Sequence, residues 1–169
     1  AVVQELRIRK RRPKKAFALM VPDIKVAKGL CEMADLEERC LLSVEAPIVL
    51  LERKANADMM ICPEVAPGLS ELGIMLPCTP LHHLLMDHIQ MPVVATSANL
   101  TDEPISYDTD EVFIRLRGIA DFVLTDNRRI VRAVDDSVVR FVAGRMQMLR
   151  LARGFAPAVF HPVGLEGGV

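Results

Sequence analysis

Small hydroxyl and amide side chains follow a short apolar run at residues 93–99. The apolar residues VVA lead directly into Thr96, Ser97 and Asn99. In open α/β sheets, ligands bind beyond the carboxyl ends of the strands. These three side chains could therefore bind a phosphate or carboxylate, although Ser and Asn are also common in ordinary turns.

A basic segment near the beginning of the chain is the second candidate. Residues 1–15 contain seven Lys or Arg side chains and one acid, a charge of +6, whereas the other 154 residues carry −7. Lys10 and Arg12 lie just before Pro13, where a predicted helix gives way to a predicted strand. Ammonium and guanidinium groups suit phosphate oxygens, but such cations could also offset a helix dipole or form a nucleic-acid patch. Seven charges exceed the needs of one ligand, so we expect some of them to face water.

A third polar group lies in the second half of the chain. Asp135 and Asp136, followed by Ser137 at the start of a predicted strand, could bind Mg²⁺ and a phosphate, or could form a polar turn. Other polar and cationic side chains of this region are Asn127, Arg128, Arg140, Arg150 and Arg153. From the residues alone, a charged surface turn is the simpler interpretation.

Several protein classes lack their usual patterns in this chain. There is no HExxH, CxxC, GxGxxG, Walker A or GxSxG motif, which argues against zinc hydrolysis, hydride transfer and serine-esterase chemistry. We predict no metal site built by the protein alone, and we expect the four cysteines to be free thiols. No apolar run approaches the roughly 18 residues of a membrane helix, and the beginning of the chain shows no secretory pattern. We therefore expect a cytoplasmic protein without a membrane partner.

The elements that must position these side chains alternate between helices and strands. Asp23, Thr79 and Asp108 are predicted helix N-caps, and Pro13 is predicted to end a helix whose beginning precedes the chain. Helices are predicted up to residue 12 and over residues 23–42, 79–90 and 108–118. Strands are predicted over residues 16–21, 47–51, 92–96, 119–124, 137–142 and 148–151, with residues 52–78 irregular. This alternation predicts an α/β fold with a largely parallel or mixed sheet.

The histidines of the predicted helix at residues 79–90 are interpreted as structural. His88 shares an apolar helical face with three leucines, so we predict it at the edge of the core. His82 and His83 fall in the first turn and are predicted to lie at the surface.

Three segments, taken in order, resemble a known family. Lys10-x-Arg12-Pro13, the TSAN stretch ending at Asn99, and Ser137 in DDSVVR follow one another as in YrdC-like domains. The strings VAPGLSELGIMLPCTPLHHLL, VVATSANL, VDDSVVRFVAGR and LRLARGFAP are similar to those of the YrdC-like domains of HypF carbamoyltransferases. The resemblance covers residues 5–157. It implies a domain over residues 1–157 that lacks the family's first strands, and a linker over residues 158–169 toward a transferase domain.

The resemblance implies both a fold and an activity. The fold is α/β, with a twisted, mixed or mostly parallel sheet and flanking helices around a basic cavity. The activity is ATP-dependent formation of carbamoyl-adenylate from carbamoyl phosphate or carbamate, with Mg²⁺ accompanying the nucleotide. In the full-length enzyme, the carbamoyl group would pass to a HypE-like acceptor protein for synthesis of the cyanide ligands of hydrogenases.

The resemblance also implies roles for individual residues. The catalytic set would be Lys10, Arg12, Ser97 and Asn99. The implied nucleotide- and phosphate-binding residues are Lys10, Arg12, Thr96, Ser97, Asn99, Asn127, Arg128, Ser137, Arg140, Arg150 and Arg153. Three positions depart from the family pattern, with Cys78 in place of Tyr, Asp126 in place of His and Arg129 in place of Pro.

Two other functions remain open. YrdC-like domains have been linked to double-stranded RNA, and with only 4% aromatic residues such binding would be mainly electrostatic and salt-sensitive. Threonylcarbamoyl-AMP synthases share the chemistry but use threonine and bicarbonate. The string LPCTPLHH argues against that second alternative.

Overall fold

The computed structural model describes residues 1–101 and 103–157, in which helices flank a six-stranded mixed sheet. The predicted linker at residues 158–169 lies outside the described residues. The helices are α1 (Val2–Arg9), α2 (Ile24–Leu30), α3 (Asp35–Leu41), α4 (Pro80–Ile89) and α5 (Thr109–Arg115). The strands are β1 (Ala18–Met20), β2 (Ile48–Glu52), β3 (Glu71–Met75), β4 (Val93–Ala95), β5 (Val138–Val142) and β6 (Arg145–Arg150), and 3₁₀ turns occur at Ala57–Met59 and Pro63–Val65. None of the helices in these ranges is long and apolar enough to cross a membrane.

The strands lie in the order β4-β1-β3-β2-β5-β6, so β3 and β2 form the centre of the sheet. Strand β3 is parallel to β1 and antiparallel to β2, which aligns Gly73 with Ala18 on one side and with Leu50 on the other. Strands β2 and β5 are also parallel, whereas β1 and β4, and β5 and β6, are antiparallel. The predicted α/β fold with a mixed sheet is confirmed.

The two faces of the sheet have different environments. Successive side chains of a strand point to opposite faces, so β3 sends Leu72 and Ile74 to one face and Gly73 and Met75 to the other. Leu72 and Ile74 belong to the main core, which also contains residues of β1, β2, β5 and helices α1 to α3. Met75 belongs to a smaller cluster that includes Met86 of α4. One face is therefore packed by helices, and the other is only partly covered.

Side-chain caps begin three of the helices. Asp23 and Thr79 each accept a hydrogen bond from the backbone N–H three residues later, at 2.9 and 3.2 Å. Asp108 accepts two such bonds, at 3.0 and 3.2 Å. These carboxylate and hydroxyl oxygens satisfy N–H groups that have no partner within the helix. The predicted beginnings of α2, α4 and α5 are confirmed.

Two predicted helix boundaries are wrong. Helix α1 ends at Arg9 rather than at Pro13, because Arg11 adopts the left-handed conformation with φ 50°. The helix predicted over residues 23–42 is two helices. Cys31 is extended there and forms a β-bridge with Arg53, just beyond β2, which interrupts the helical hydrogen bonding.

Three further predictions fail for reasons of packing. Strand β3 lies inside the segment predicted to be irregular, at the centre of the sheet. The strand predicted at residues 119–124 does not form, and Phe122 is 95% exposed. In α4 the face expected to be buried is exposed, including Leu84 and His88, whereas Met86 is buried.

Arg7 is a buried cation that connects α1 to the loops beneath it. Its side chain is 7% exposed, and it donates hydrogen bonds to the carbonyls of Glu64, Val65, Arg12 and Lys15 at 2.6 to 3.2 Å. Arg7 is therefore not among the basic side chains of residues 1–15 that face water. Burial lowers its pKa, with opposing effects from Glu64 and Cys62.

Replacing Arg7 by Ala should lower the free energy of unfolding by about 3 kcal/mol, because the substitution removes the donor to the carbonyls of Glu64 and Arg12 and the packing of the buried side chain. The control is Lys14→Ala, in which an exposed cation of the same segment is removed and the expected change is below about 0.5 kcal/mol. Urea unfolding measures both variants. Equal destabilisation of the two would show that Arg7 does not stabilise the fold through these contacts.

Candidate functional site

The partly covered face of the sheet forms the floor of a cavity of about 810 Å³. This volume is within the usual range of small-molecule sites. The floor residues are Ala18, Met20, Ile48, Leu50, Gly73 and Met75. A Cβ atom at Gly73 would lie 3.1 Å from Cγ2 of Ile48. The absence of a side chain at Gly73 therefore makes the cavity deeper at the centre of its floor. Ala18, aligned with both Gly73 and Ala95, adds a second small residue at this depth.

Polar side chains form the wall of the cavity above this apolar floor. The wall contains the cations Arg12, Lys15 and Arg150, the hydroxyl residues Thr96 and Ser97, the imidazole of His82, and the acids Glu71, Asp135 and Asp136. Four of the predicted site residues therefore lie on one cavity, namely Arg12, Thr96, Ser97 and Arg150.

Arg12 is held on the wall by backbone carbonyls and by an aromatic ring. Its Nε donates to the Lys15 carbonyl at 3.1 Å, its Nη2 donates to the Ala16 carbonyl, and its Cζ lies 4.8 Å from the centre of the Phe17 ring. Burial lowers the pKa of Arg12, and the charges of Arg7 and Arg150 lower it further. These cations repel one another, so a bound anion would reduce the cost of holding them together.

Lys10 lies behind the wall rather than on it. Its side chain is 2% exposed, and Nζ donates to the carbonyls of Ser97 and Asn99 at 2.7 and 2.6 Å. The hydroxyl of Thr101 donates in turn to the Lys10 carbonyl at 2.9 Å. Burial lowers the pKa of Lys10, with a smaller effect from the charge of Arg12. In this structure Lys10 positions the turn that follows β4.

Ser97 and Asn99 are linked within that turn. Ser97 Oγ donates to Asn99 Oδ1 at 2.7 Å, and Asn99 Nδ2 donates to the Glu103 carbonyl at 2.7 Å. Ser97 lines the cavity, whereas Asn99 supports it from behind. The pair predicted from the sequence is thus brought together with its geometry already fixed.

The structure does not bring the other predicted residues to the cavity wall. Arg128 is 85% exposed and pairs with Asp126 at 2.8 Å, and this pairing lowers the pKa of Asp126. Asn127 is exposed beside it. The negative charge of Asp126 is therefore matched by its neighbour, and a phosphate contact from this loop stays a prediction.

Ser137, Arg140 and Arg153 are also committed to contacts within the protein. The buried Ser137 Oγ donates to the Arg153 carbonyl at 2.9 Å and accepts from the Ala152 N–H at 2.8 Å. Arg140 Nε donates to Gln147 Oε1 at 3.2 Å, and Arg153 donates to Asp136 Oδ1 and to the Ala46 carbonyl. Ser137 thus joins the beginning of β5 to the segment that follows β6. The phosphate roles of these three residues stay predictions.

His82 is a wall residue that the sequence interpretation placed at the surface. The Cys78 backbone N–H donates to His82 Nδ1 at 3.5 Å, and Cys78 Sγ lies at the same distance from this atom. Burial lowers the pKa of His82, Arg153 and His83 lower it further, and Asp136 opposes them. In the sequence, the N-cap at Thr79 was the feature that could indicate the position of His82, because an N-cap determines which side chains fall in the first turn of the helix.

Comparisons with known proteins agree on one family. The Sua5_yciO_yrdC family model, described as telomere recombination, matches residues 1–152. The carbamoyltransferase HypF of Synechocystis sp. is 44% identical over 155 residues, which are 92% of this chain and 20% of the relative. The chain thus spans about a fifth of the length of the curated relatives it matches.

Two solved structures extend this comparison. The crystal structure of full-length HypF in the phosphate- and nucleotide-bound form is 45% identical, with a TM-score of 0.87 over 92% of this chain and 24% of that chain. P. abyssi Sua5 complexed with L-threonine is 16% identical, with a TM-score of 0.74 over 89% of this chain and 44% of that chain. The Sua5 similarity shows a shared fold.

The buried Lys10 should make stability depend on pH in an identifiable way. Its pKa is lower in the folded protein than the usual 10.5, so between these two values the unfolded chain binds more protons. The free energy of unfolding of the wild type, relative to Lys10→Met, should therefore rise with pH through this window. Urea unfolding of both proteins between pH 7 and pH 10.5 measures the difference, from which the other titrating groups cancel. A difference that stays flat or falls would contradict the role assigned to burial.

Proposed function

The chain belongs to the Sua5/YciO/YrdC family, and we propose that its cavity binds ATP and forms carbamoyl-adenylate from carbamate. The observation that carries this proposal is the group of mutually repelling cations at the cavity, with Arg12 and Arg150 on the wall and Arg7 beside them. Such a group is stabilised by a polyanion such as the triphosphate of a nucleotide. The similar full-length HypF whose crystal structure is nucleotide- and phosphate-bound supports the same ligand class.

The proposed reaction is a substitution at the α-phosphorus of ATP. A carbamate oxygen forms a bond to this phosphorus, the bond from the phosphorus to the bridging oxygen breaks, and pyrophosphate leaves with the electron pair. Carbamate itself would come from carbamoyl phosphate by hydrolysis, which releases inorganic phosphate. No protein nucleophile is consumed, so catalysis depends on positioning the reactants and neutralising phosphate charge.

The side chains on the cavity match those tasks. Arg12 and Arg150 would bind phosphate oxygens, and the Thr96 hydroxyl would donate a hydrogen bond to them. The Ser97 hydroxyl would donate to a phosphate only by giving up its bond to Asn99 Oδ1. Lys10 and Asn99 would act through the turn after β4, because their bonds hold Ser97 in place. Lys10 and Asn99 are therefore positioning residues in the proposed mechanism.

Mg²⁺ would accompany the nucleotide rather than occupy a site made by the protein alone. Among the described residues, no group of three or more His, Cys, Asp or Glu side chains is arranged to hold a metal ion. Asp135 and Asp136 lie on the cavity wall. They could add ligands to an ion that is held mainly by phosphate oxygens and waters. The ion would neutralise phosphate charge in the same way as the wall cations.

The second half of the proposed function is transfer of the carbamoyl group to a HypE-like acceptor protein. This step would require a longer protein, since the chain spans about a fifth of the carbamoyltransferase HypF that it resembles. In the proposed sequence, the cavity makes the activated carbamoyl group, and another part of the full-length enzyme delivers it.

Carbamate-dependent exchange of labelled pyrophosphate into ATP tests the activation step. Arg150→Ala should reduce the exchange rate by about 100-fold, because a charge that stabilises the transferring phosphate is lost. Arg145→Ala is the matched control, since it removes an exposed cation from the opposite end of the same strand, and it should leave the rate within about twofold. The assay uses carbamoyl phosphate in one series, ammonium carbamate in a second, and threonine with bicarbonate in a third.

The outcomes separate this proposal from its alternatives. Equal rates for the two arginine variants would refute the assignment of Arg150. Exchange that requires threonine and bicarbonate instead of carbamate would replace carbamoyl-adenylate by threonylcarbamoyl-AMP as the product. Absence of exchange under all three substrate conditions would refute adenylate formation by this chain.

A further inference from the structure

His82 reaches the cavity because of the way α4 begins. The Thr79 hydroxyl accepts a hydrogen bond from the His82 backbone N–H at 3.2 Å, which fixes the first turn of the helix. This turn directs the His82 side chain onto the cavity wall. The neighbouring His83 is exposed and does not line the cavity. Two adjacent histidines thus have different environments, which provides a matched control.

The contact with Cys78 favours one of the two neutral tautomers of His82. The Cys78 backbone N–H points at Nδ1, at a distance of 3.5 Å. A backbone N–H can only donate, so this long contact favours Nδ1 as the acceptor. In the neutral imidazole the proton is then on Nε2. The Cys78 thiol lies 3.5 Å from the same Nδ1 atom and is an alternative donor to its single lone pair.

The charges around His82 favour the neutral ring. Burial is the main cause of its lowered pKa, Arg153 and His83 act in the same direction, and Asp136 acts against them. Asp136 is itself held by Arg153 at 2.7 Å. Over the described residues, Nε2 of His82 has no hydrogen-bond partner within the protein. Its N–H group is therefore available to a ligand.

We propose that His82 is a ligand-binding residue whose Nε2–H donates a hydrogen bond to a phosphate oxygen of the nucleotide. Cys78 is its positioning residue, because the backbone N–H and the thiol hold the imidazole in the required tautomer. This inference rests on the proposed function, since it assigns a contact to the phosphates that the cavity is proposed to bind. A neutral donor completes a wall that otherwise relies on arginine charge and hydroxyl groups.

The tautomer can be measured before any ligand is added. Long-range ¹H–¹⁵N spectra distinguish the two neutral tautomers of histidine, and the His82→Ala variant assigns the resonances. We expect the Nε2–H form for His82 in the ligand-free protein. Addition of ATP should shift the His82 Nε2 resonance much more than that of His83. An Nδ1–H tautomer, or no shift at saturating ATP, would overturn the inference.

Binding measurements by calorimetry provide the second readout. His82→Ala should weaken ATP binding by about tenfold, which corresponds to one hydrogen bond to a charged group. His82→Gln should recover most of the affinity, because its amide N–H can reach the position of Nε2–H. His83→Ala should bind ATP like the wild type. Thermal unfolding of each variant checks that the fold is retained.

Failure of this inference can be told apart from failure of the proposed function. If the wild type binds ATP and the folded His82→Ala variant binds it equally well, His82 is not a ligand contact and the proposed function is unaffected. If the wild type binds neither ATP nor inorganic phosphate, both the proposed function and the His82 contact are refuted.

Discussion

Two buried cations that do not face the cavity hold its wall in place. Arg7 donates to the carbonyls of Arg12 and Lys15 and to those of the 3₁₀ turn beneath α1. Lys10 donates to the carbonyls of Ser97 and Asn99, and so joins the end of α1 to the turn after β4. Arg12 lies on the same backbone segment as these contacts, so the hydrogen bonds of Arg7 and Lys10 fix the direction in which that segment runs. The two distant segments that carry the cavity-facing side chains are thus held together by hydrogen bonds to backbone carbonyls, and not by contacts between those side chains.

The electrostatic cost of this arrangement explains why the cavity is suited to anions. Burial disfavours the charged forms of Arg7, Lys10 and Arg12, and each of the three is close to another cation. The backbone carbonyls compensate Arg7 and Lys10 directly. Arg150 Nε donates to the Asp136 carbonyl at 2.8 Å, and its Nη1 lies 3.5 Å from Oδ1 of the half-exposed Asp135, a contact of small energetic value. A phosphate group could displace that carboxylate at little cost, while the bond to the Asp136 carbonyl keeps the guanidinium in place.

The sequence predicted several polar residues that the structure brings to one cavity, but it predicted some of the elements that hold them wrongly. Polar residues after the apolar run of β4 and the cations before β1 converge in the structure because both segments end at one side of the sheet. Strand β3 was missed because Gly73 and the surrounding prolines and glycines are typical of loops, whereas here a small residue is needed at the cavity floor. The segment at residues 119–124 has a strand-like composition, but it has no strand to pair with in the part of the chain described. Whether each of these two segments forms a strand depends on pairing with a distant segment, and local composition carries no information about that pairing.

The position of His82 shows how a helix can be placed correctly and its buried face still be wrong. The apolar pattern of α4 favours the face with Leu84, but the sheet leaves that side of the helix uncovered. Met86 provides the buried contact instead, packing with Met20 and Met75 of the small cluster at the edge of the cavity floor. His82, one turn earlier on the same side of α4, must then meet the cavity wall. The packing of Met86 on the partly covered face of the sheet therefore also places the His82 imidazole on the cavity wall. A substitution in the smaller cluster around Met75 and Met86 is thus expected to change the cavity wall as well.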